Sequence, residues 1–435
     1  MIVNISLAFI LLTFILFFKT LYKSFWNPLS IFSMVWFFSA LGTIVGPIQY
    51  TPISIKMVIF ITASFSAIFL GALTPALLRM INKAQIQGIN CTTIVNNQHI
   101  FLIIVILSLL GTFGPILMLL HLYRSAHLSL LLNPALHSKL REMSLSGGEI
   151  IYSLTTTLLL SLNIVALVFA GLFLAISNKI KKYIFLWPLI NILVGCLITA
   201  GRSIIIWGLM LLISSFIFSK IFFKREKIKL CLRYVVLLLI IIVILASMRN
   251  WRGGSIEGTY LYTKSFYGDT LRWKIDTPTF YSFVSIFDTF CGSIPSLSQF
   301  LETTDSELGL GAYTFNPFFK WFGDKDISFY YPPAHIPFEC NIFSYLREFY
   351  VDYGFLGMIC LNMILGFLAS FYYYKCKDKI SLINITALSF ITTFLLYSIW
   401  LPISYATMFW SSLAISIIMS MLTPQKFYFK RLSTA

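Results

Sequence analysis

The sequence predicts an all-α polytopic membrane protein of about eleven transmembrane helices with a large extracytoplasmic loop, and three observations predict it. Hydrophobic residues make up 58% of the chain against 11% charged, and mean hydropathy is +0.86, a balance foreign to soluble globular domains. Apolar runs of roughly 17 to 25 residues recur along the chain, the length that crosses a hydrocarbon core as a helix. Lys and Arg gather in alternate short connections, as the cytoplasmic side of a multi-span protein requires.

The apolar runs fall at 3–18, 29–46, 57–78, 98–120, 150–175, 183–200, 203–220 and 230–247, then at 348–374, 384–400 and 405–422. The first lacks an early basic region and a clear small-x-small cleavage site, so a span is expected there rather than a cleaved signal. Eleven spans put the termini on opposite sides. With the N-terminus outside, nineteen of the 32 basic residues fall in cytoplasmic connections or the tail, from Lys19 and Lys23 through Arg79 and Lys377 to Arg431. The net charge of +16 is therefore read as topology, and no nucleic-acid partner is expected.

Three organisational parts follow: residues 1–247 as an N-terminal membrane bundle of about eight spans, 248–347 as the extracytoplasmic loop, and 348–435 as a C-terminal membrane segment of about three spans. The interval 249–347 holds ten of the sixteen acidic residues. Within it, 280–302 is apolar but interrupted by Asp288, Gly292 and Pro295, and an interfacial or re-entrant helix is expected. A second outer loop at 121–149 carries His121, His127 and His137 without zinc spacing; surface charge and the lining of an anionic path are both open. Seven scattered cysteines form no CxxC pair, although Cys291 and Cys340 share the long loop and leave a bridge open.

The candidate functional residues are arginines and a few acids at the outer membrane ends. Arg202 sits in LITAGRSIIIWG, where a tight hairpin or a broken pair of helices is expected. It either snorkels or offers charge to a phosphate beside the N–H groups that open the next helix. Arg249 and Arg252 precede Gly253 and Gly254, a pattern suited to bidentate phosphoryl contacts or to interfacial anchoring. GxxxxGK is absent, so no ATP requirement is expected; no cofactor is indicated, and metal dependence stays open. Arg347 begins the ninth span, with Glu348 and Asp352 one helical turn apart after it. His335, between prolines in PPAHIPFE, and Glu339 complete the acceptor-side candidates, imidazole having an ordinary pKa of about 6.5. HExxH and a nucleophile elbow are both missing.

These pieces point to an anionic, lipid-linked molecule handled at the outer face. Along essentially its whole length the chain resembles the Wzy-type oligosaccharide repeat-unit polymerases, or O-antigen polymerases, of bacterial inner membranes. The resemblance rests on the many-span layout, ITAGRSIIIW at 198–207, RNWRGG at 249–254, GAYTFNPF at 311–318 and NIFSYLREFYVDYGFLG at 341–357.

The resemblance implies a glycosyltransferase that polymerises repeat units on undecaprenyl pyrophosphate, in the bacterial cytoplasmic membrane with the C-terminus cytoplasmic; a GT-C-like architecture is compatible with it. Arg202, Arg249, Arg252 and Arg347 then become candidates for diphosphate and glycan contacts, and His335, Glu339 and Asp352 for catalytic roles toward the acceptor. A flippase and a chain-length regulator are the implied functional partners. A ligase delivering finished glycan to lipid A is the nearest alternative enzyme. A lipid-linked oligosaccharide transporter is the alternative of another class, disfavoured by the lack of an evident paired repeat.

Overall fold

The computed structural model describes residues 2–86, 89–95, 97–126, 154–177, 180–199, 203–223, 256–303, 308–321, 334–340, 342–400 and 406–431. In chain order it begins with α1 (Ile2–Tyr22), α2 (Pro28–Val45), α3 (Ile55–Ile86), β1 (Ile89–Val95), α4 (Asn97–Ala126), α5 (Leu154–Ile176), α6 (Leu186–Thr199) and α7 (Ser203–Phe222). The polar interval contributes α8 (Ile256–Tyr267), α9 (Pro278–Cys291), α10 (Ser293–Thr303), α11 (Asn316–Trp321), β2 (Ala334–His335) and β3 (Glu339–Cys340). The chain continues with α12 (Tyr345–Asp378), α13 (Leu382–Tyr397), α14 (Thr407–Leu422) and β4 (Gln425–Arg431).

Among the described residues, seven helices (α1 to α5, α7 and α12) are long and apolar enough to cross a membrane, making this a polytopic membrane protein dominated by α-helix. Three shorter apolar helices, α6, α13 and α14, lie on three further expected runs. The expected run at 230–247 lies outside the described residues. Two small antiparallel sheets depart from a purely helical chain: β1 pairs with β4, and β2 with β3.

Helices dominate because hydrocarbon leaves no water for backbone N–H and C=O groups, so each span must satisfy its own. Where the chain turns, capping chemistry sets the boundaries. Asn27 accepts from Ser30 N at 2.8 Å with Pro28 in the first turn, and Thr277 and Ser381 cap α9 and α13 in the same way.

The helix crossings are built on small residues. α3 and α12 run parallel and touch at Gly71 and Gly366, where an added Cβ would lie 1.9 Å from Met363 O and 2.0 Å from Ile68 O. Contact this close permits backbone-to-backbone van der Waals packing, the main attraction left between helices in lipid. Ser370 Oγ donates to Ala72 O at 2.8 Å along the same seam. A second join is polar: Asn191 Nδ2 on α6 donates to Asn163 Oδ1 on α5 at 2.9 Å and to Ser108 O on α4 at 3.1 Å. Helices early and late in the chain interleave, since α12 packs on α3, α13 on α2 and α7, and α14 on α5.

The parallel α3–α12 pair defines two ends of the bundle. At one, Arg79 near the end of α3 pairs with Asp378 at the end of α12. At the other lie the 46–54 connection and the elements of the polar interval, stitched together by Gln49 N to Thr270 O at 2.8 Å and Arg272 N to Pro47 O at 2.7 Å. The stretch expected as one interfacial or re-entrant helix at 280–302 is instead two helices divided at Gly292. Seven residues of α10 are buried, Ser298 reaching Ser54 at the head of α3.

Candidate functional site

The sequence places a glycine inside an otherwise apolar helix, and the structure shows what it does. At Gly354 the backbone turns to φ +66°, ψ −172°, and α12 kinks there. A side chain is poorly tolerated in that region. The break releases the carbonyls of Val351 and Asp352 from the helical ladder, and the amides of Gly309 and Leu310 take them, both at 3.0 Å. The buried Asp352 carboxylate accepts from Tyr313 N at 3.2 Å and Thr314 N at 2.5 Å. Two motif segments distant in sequence, around 311–318 and 341–357, are thus one substructure. Asp352 anchors it: both carboxylate oxygens already hold backbone N–H groups.

One turn earlier lies the buried Arg347–Glu348 ion pair, its residues 5% and 3% exposed. The Arg347 guanidinium also stacks 3.9 Å above the Phe343 ring. Glu348 Oε2 is buried without a hydrogen-bond partner among the described residues. A half-satisfied carboxylate in such surroundings relies on its arginine to remain charged. Glu348 was legible in the sequence only as the acid one turn from Asp352; its burial beside Arg347 was not.

His335 and Glu339 stand directly opposite each other across β2 and β3, and both are exposed. Cross-strand neighbours in this relation have Cβ atoms about 5 Å apart, so an imidazole and a carboxylate present themselves together. The alternation of the hairpin buries Ala334, Ile336, Phe338 and Cys340 while exposing this pair.

An acid that in the sequence only interrupts an apolar stretch holds the hairpin in place through two tyrosines. Asp288 on α9, 4% exposed, accepts hydrogen bonds from Tyr50 Oη at 3.0 Å and Tyr267 Oη at 2.9 Å. Phe338, near the hairpin tip, packs edge-on against Tyr267 with ring centroids 4.7 Å apart and tilted against Tyr50 at 6.2 Å. Burial, followed by the Asp288 charge, pushes the Tyr50 hydroxyl well above its ordinary pKa, so it stays a donor. The same two causes push the Cys340 thiol up to about 12 and raise Cys291 as well. Both cysteines are buried and unbridged.

The arrangement brings Arg347, Asp352, His335 and Glu339 to the same end of the bundle. Arg202, Arg249 and Arg252 lie outside the described residues, as do the histidines at 127 and 137. The break expected between α6 and α7 falls on 200–202, which lie outside the described residues. No group of three or more His, Cys, Asp or Glu with metal-binding proximity occurs among the described residues. Comparison of the chain with protein-family models, with curated proteins and with solved structures gives no match.

Proposed function

We propose that this chain is a glycosyltransferase that polymerises lipid-pyrophosphate-linked oligosaccharide repeat units at the outer face of the bacterial cytoplasmic membrane. The observation that carries the reading is the joined substructure at one end of the bundle, where 309–315 locks onto the kink of α12 beside Arg347, at the same end as the hairpin bearing His335 and Glu339. Such an end offers exposed proton acceptors for a sugar hydroxyl and a lipid-facing bundle beneath for the carrier chain.

In the proposed reaction the anomeric carbon–oxygen bond to the pyrophosphate breaks as the acceptor hydroxyl oxygen bonds to that carbon. Undecaprenyl pyrophosphate leaves with the bonding electron pair. The acceptor proton passes to His335 or Glu339, or to the departing diphosphate. Arg202, Arg249 and Arg252 bind the diphosphate charge, which stabilises departure without ATP. Arg347 already has Glu348 as its counterion, so a diphosphate there competes with a carboxylate. Asp352 acts as a positioning residue through the 313–314 backbone. A flippase supplying the units and a chain-length regulator are the proposed partners.

The test is purified protein in liposomes with one defined lipid-pyrophosphate repeat unit, without ATP, and products resolved by length. A ladder is expected, weakened about 10- to 100-fold by Arg202→Ala, the effect of removing one charge-assisted contact. Transfer of a single glycan to lipid A, with no ladder, makes the chain a ligase. Translocation of the unit without a new bond makes it a transporter.

A further inference from the structure

We infer that the opposite end of the bundle carries a binding site for the phosphate of an anionic phospholipid, formed by Lys23, Arg79 and Lys377. Three separate elements converge there. Lys377 Nζ, at the end of α12, donates to Tyr22 O at 3.1 Å and so stands beside Lys23, the residue that turns the chain out of α1 at φ +55°. Arg79 and Lys377 lie 5.1 Å and 5.5 Å from the centroid of one ring, Tyr374, whose hydroxyl donates to Leu21 O at 3.1 Å. Lys23 and Lys377 are exposed and Arg79 is partly so. Lys19, Lys220, Lys375 and Lys379 occupy the same level on α1, on α7 and around the end of α12.

The charge balance calls for an anion. Among the described residues at this end, Asp378 is the acid in contact, and it is already held by Arg79 at 2.6 and 2.9 Å. The C-termini of α1, α3, α7 and α12 each add roughly half a negative charge. Together with Asp378, and less about half a positive charge each from the N-termini of α2 and α13 at the same end, these offset about two of the seven cations named. A phosphate between Lys23, Arg79 and Lys377 removes the remaining repulsion, and ring faces at Tyr373 and Tyr374 keep the ammonium of Lys377 in place meanwhile.

A lipid fits better than a free phosphate because the membrane-facing flank is apolar. Leu77, Leu78 and Ile81 on α3 are all more than half exposed in the turns around Arg79, and Phe17 on α1 is nearly half exposed. They give acyl chains a surface directly below the charged group. The site is independent of the glycosyl-transfer reading.

The test uses the full chain in detergent, delipidated, with binding of phosphatidylglycerol followed by native mass spectrometry and thermal shift. Phosphatidylcholine and inorganic phosphate serve as the other arms. Phosphatidylglycerol is expected to bind and raise Tm above both. Lys23→Gln with Lys377→Gln is expected to weaken its binding roughly 25-fold, about fivefold for each cation removed. Lys377→Arg is expected to restore most of its share, and Lys375→Gln, whose ammonium sits over Phe371, to change binding less than twofold. Equal binding of phosphatidylcholine, full retention in the double variant, or an equal Tm rise with inorganic phosphate overturns the proposal.

Discussion

At the scale of single residues, the buried charged groups fix where substitutions hurt. Asp288 is the hydrogen-bond acceptor for two buried tyrosine hydroxyls, so Asp288→Ala strands both. The expected cost is about 3 kcal/mol, since each unsatisfied buried donor costs on the order of 1–3 kcal/mol. Asp288→Asn keeps one acceptor oxygen and is expected to fall between, a ranking that thermal unfolding in detergent reads directly. If the alanine variant melts with the native protein, Asp288 is not the hairpin's anchor. Arg347 needs a paired control. Arg347→Ala removes the counterion that keeps the buried Glu348 charged, and breaking a buried pair by removing one partner costs about 3–5 kcal/mol. Lost activity in that variant therefore says little about chemistry. The double change Arg347→Met with Glu348→Leu replaces the pair by apolar side chains of similar length and is expected to recover stability to within about 1–2 kcal/mol. Activity recovered along with stability would show that Arg347 serves the fold alone.

At the scale of elements, most helices were legible and the connections between them were not. The apolar runs gave α1 to α7 and α12 to α14 to within a few residues, except that α3 and α4 run eight and six residues past the expected ends, because span length and hydrophobicity are local properties. The split of 280–302 into α9 and α10 was half visible, in Gly292 and Pro295, but the burial of α10 depends on neighbours such as Ser54 that are 244 positions away in the chain. The His335–Glu339 pairing was hidden because a two-residue ladder around Pro337 has no periodicity to read. The kink at Gly354 is the element on which the candidate site turns. Gly354→Ala forces a side chain into a backbone region that favours glycine, for about 1–3 kcal/mol. Because the kink frees Val351 O and Asp352 O, the variant is also expected to speed hydrogen exchange at the amides of Gly309 and Leu310. A lowered Tm with unchanged exchange at those amides would detach the kink from the loop it holds in register. Gly366→Val tests a different element, the α3–α12 crossing, and overpacking against Ile68 O is expected to lower Tm without selective exchange at 309–310.

At the scale of the molecule, the two ends differ in chemistry, and that difference makes an orientation testable. The end bearing Lys23, Arg79 and Lys377 is basic, while the end bearing the β2–β3 hairpin collects the buried acids Asp288, Glu348 and Asp352. The rule that cations stay on the cytoplasmic side predicts the hairpin outside, where the proposed acceptor sugar would meet it. Cysteine labelling decides the matter because the native thiols at the hairpin end are quiet. Cys291 and Cys340 are buried, and with Cys340 raised to about 12 by burial and the Asp288 charge, almost none of it is thiolate at pH 7 to 8. His335→Cys exposes a thiol on the hairpin, and Lys379→Cys exposes one at the basic end. In intact spheroplasts a membrane-impermeant maleimide is expected to label His335→Cys, with Lys379→Cys reacting only after permeabilisation. The reverse pattern would place the hairpin inside and remove the proposed acceptor site from the face where lipid-linked glycans are polymerised. Labelling of both positions without permeabilisation would be incompatible with a bundle whose two ends face opposite compartments.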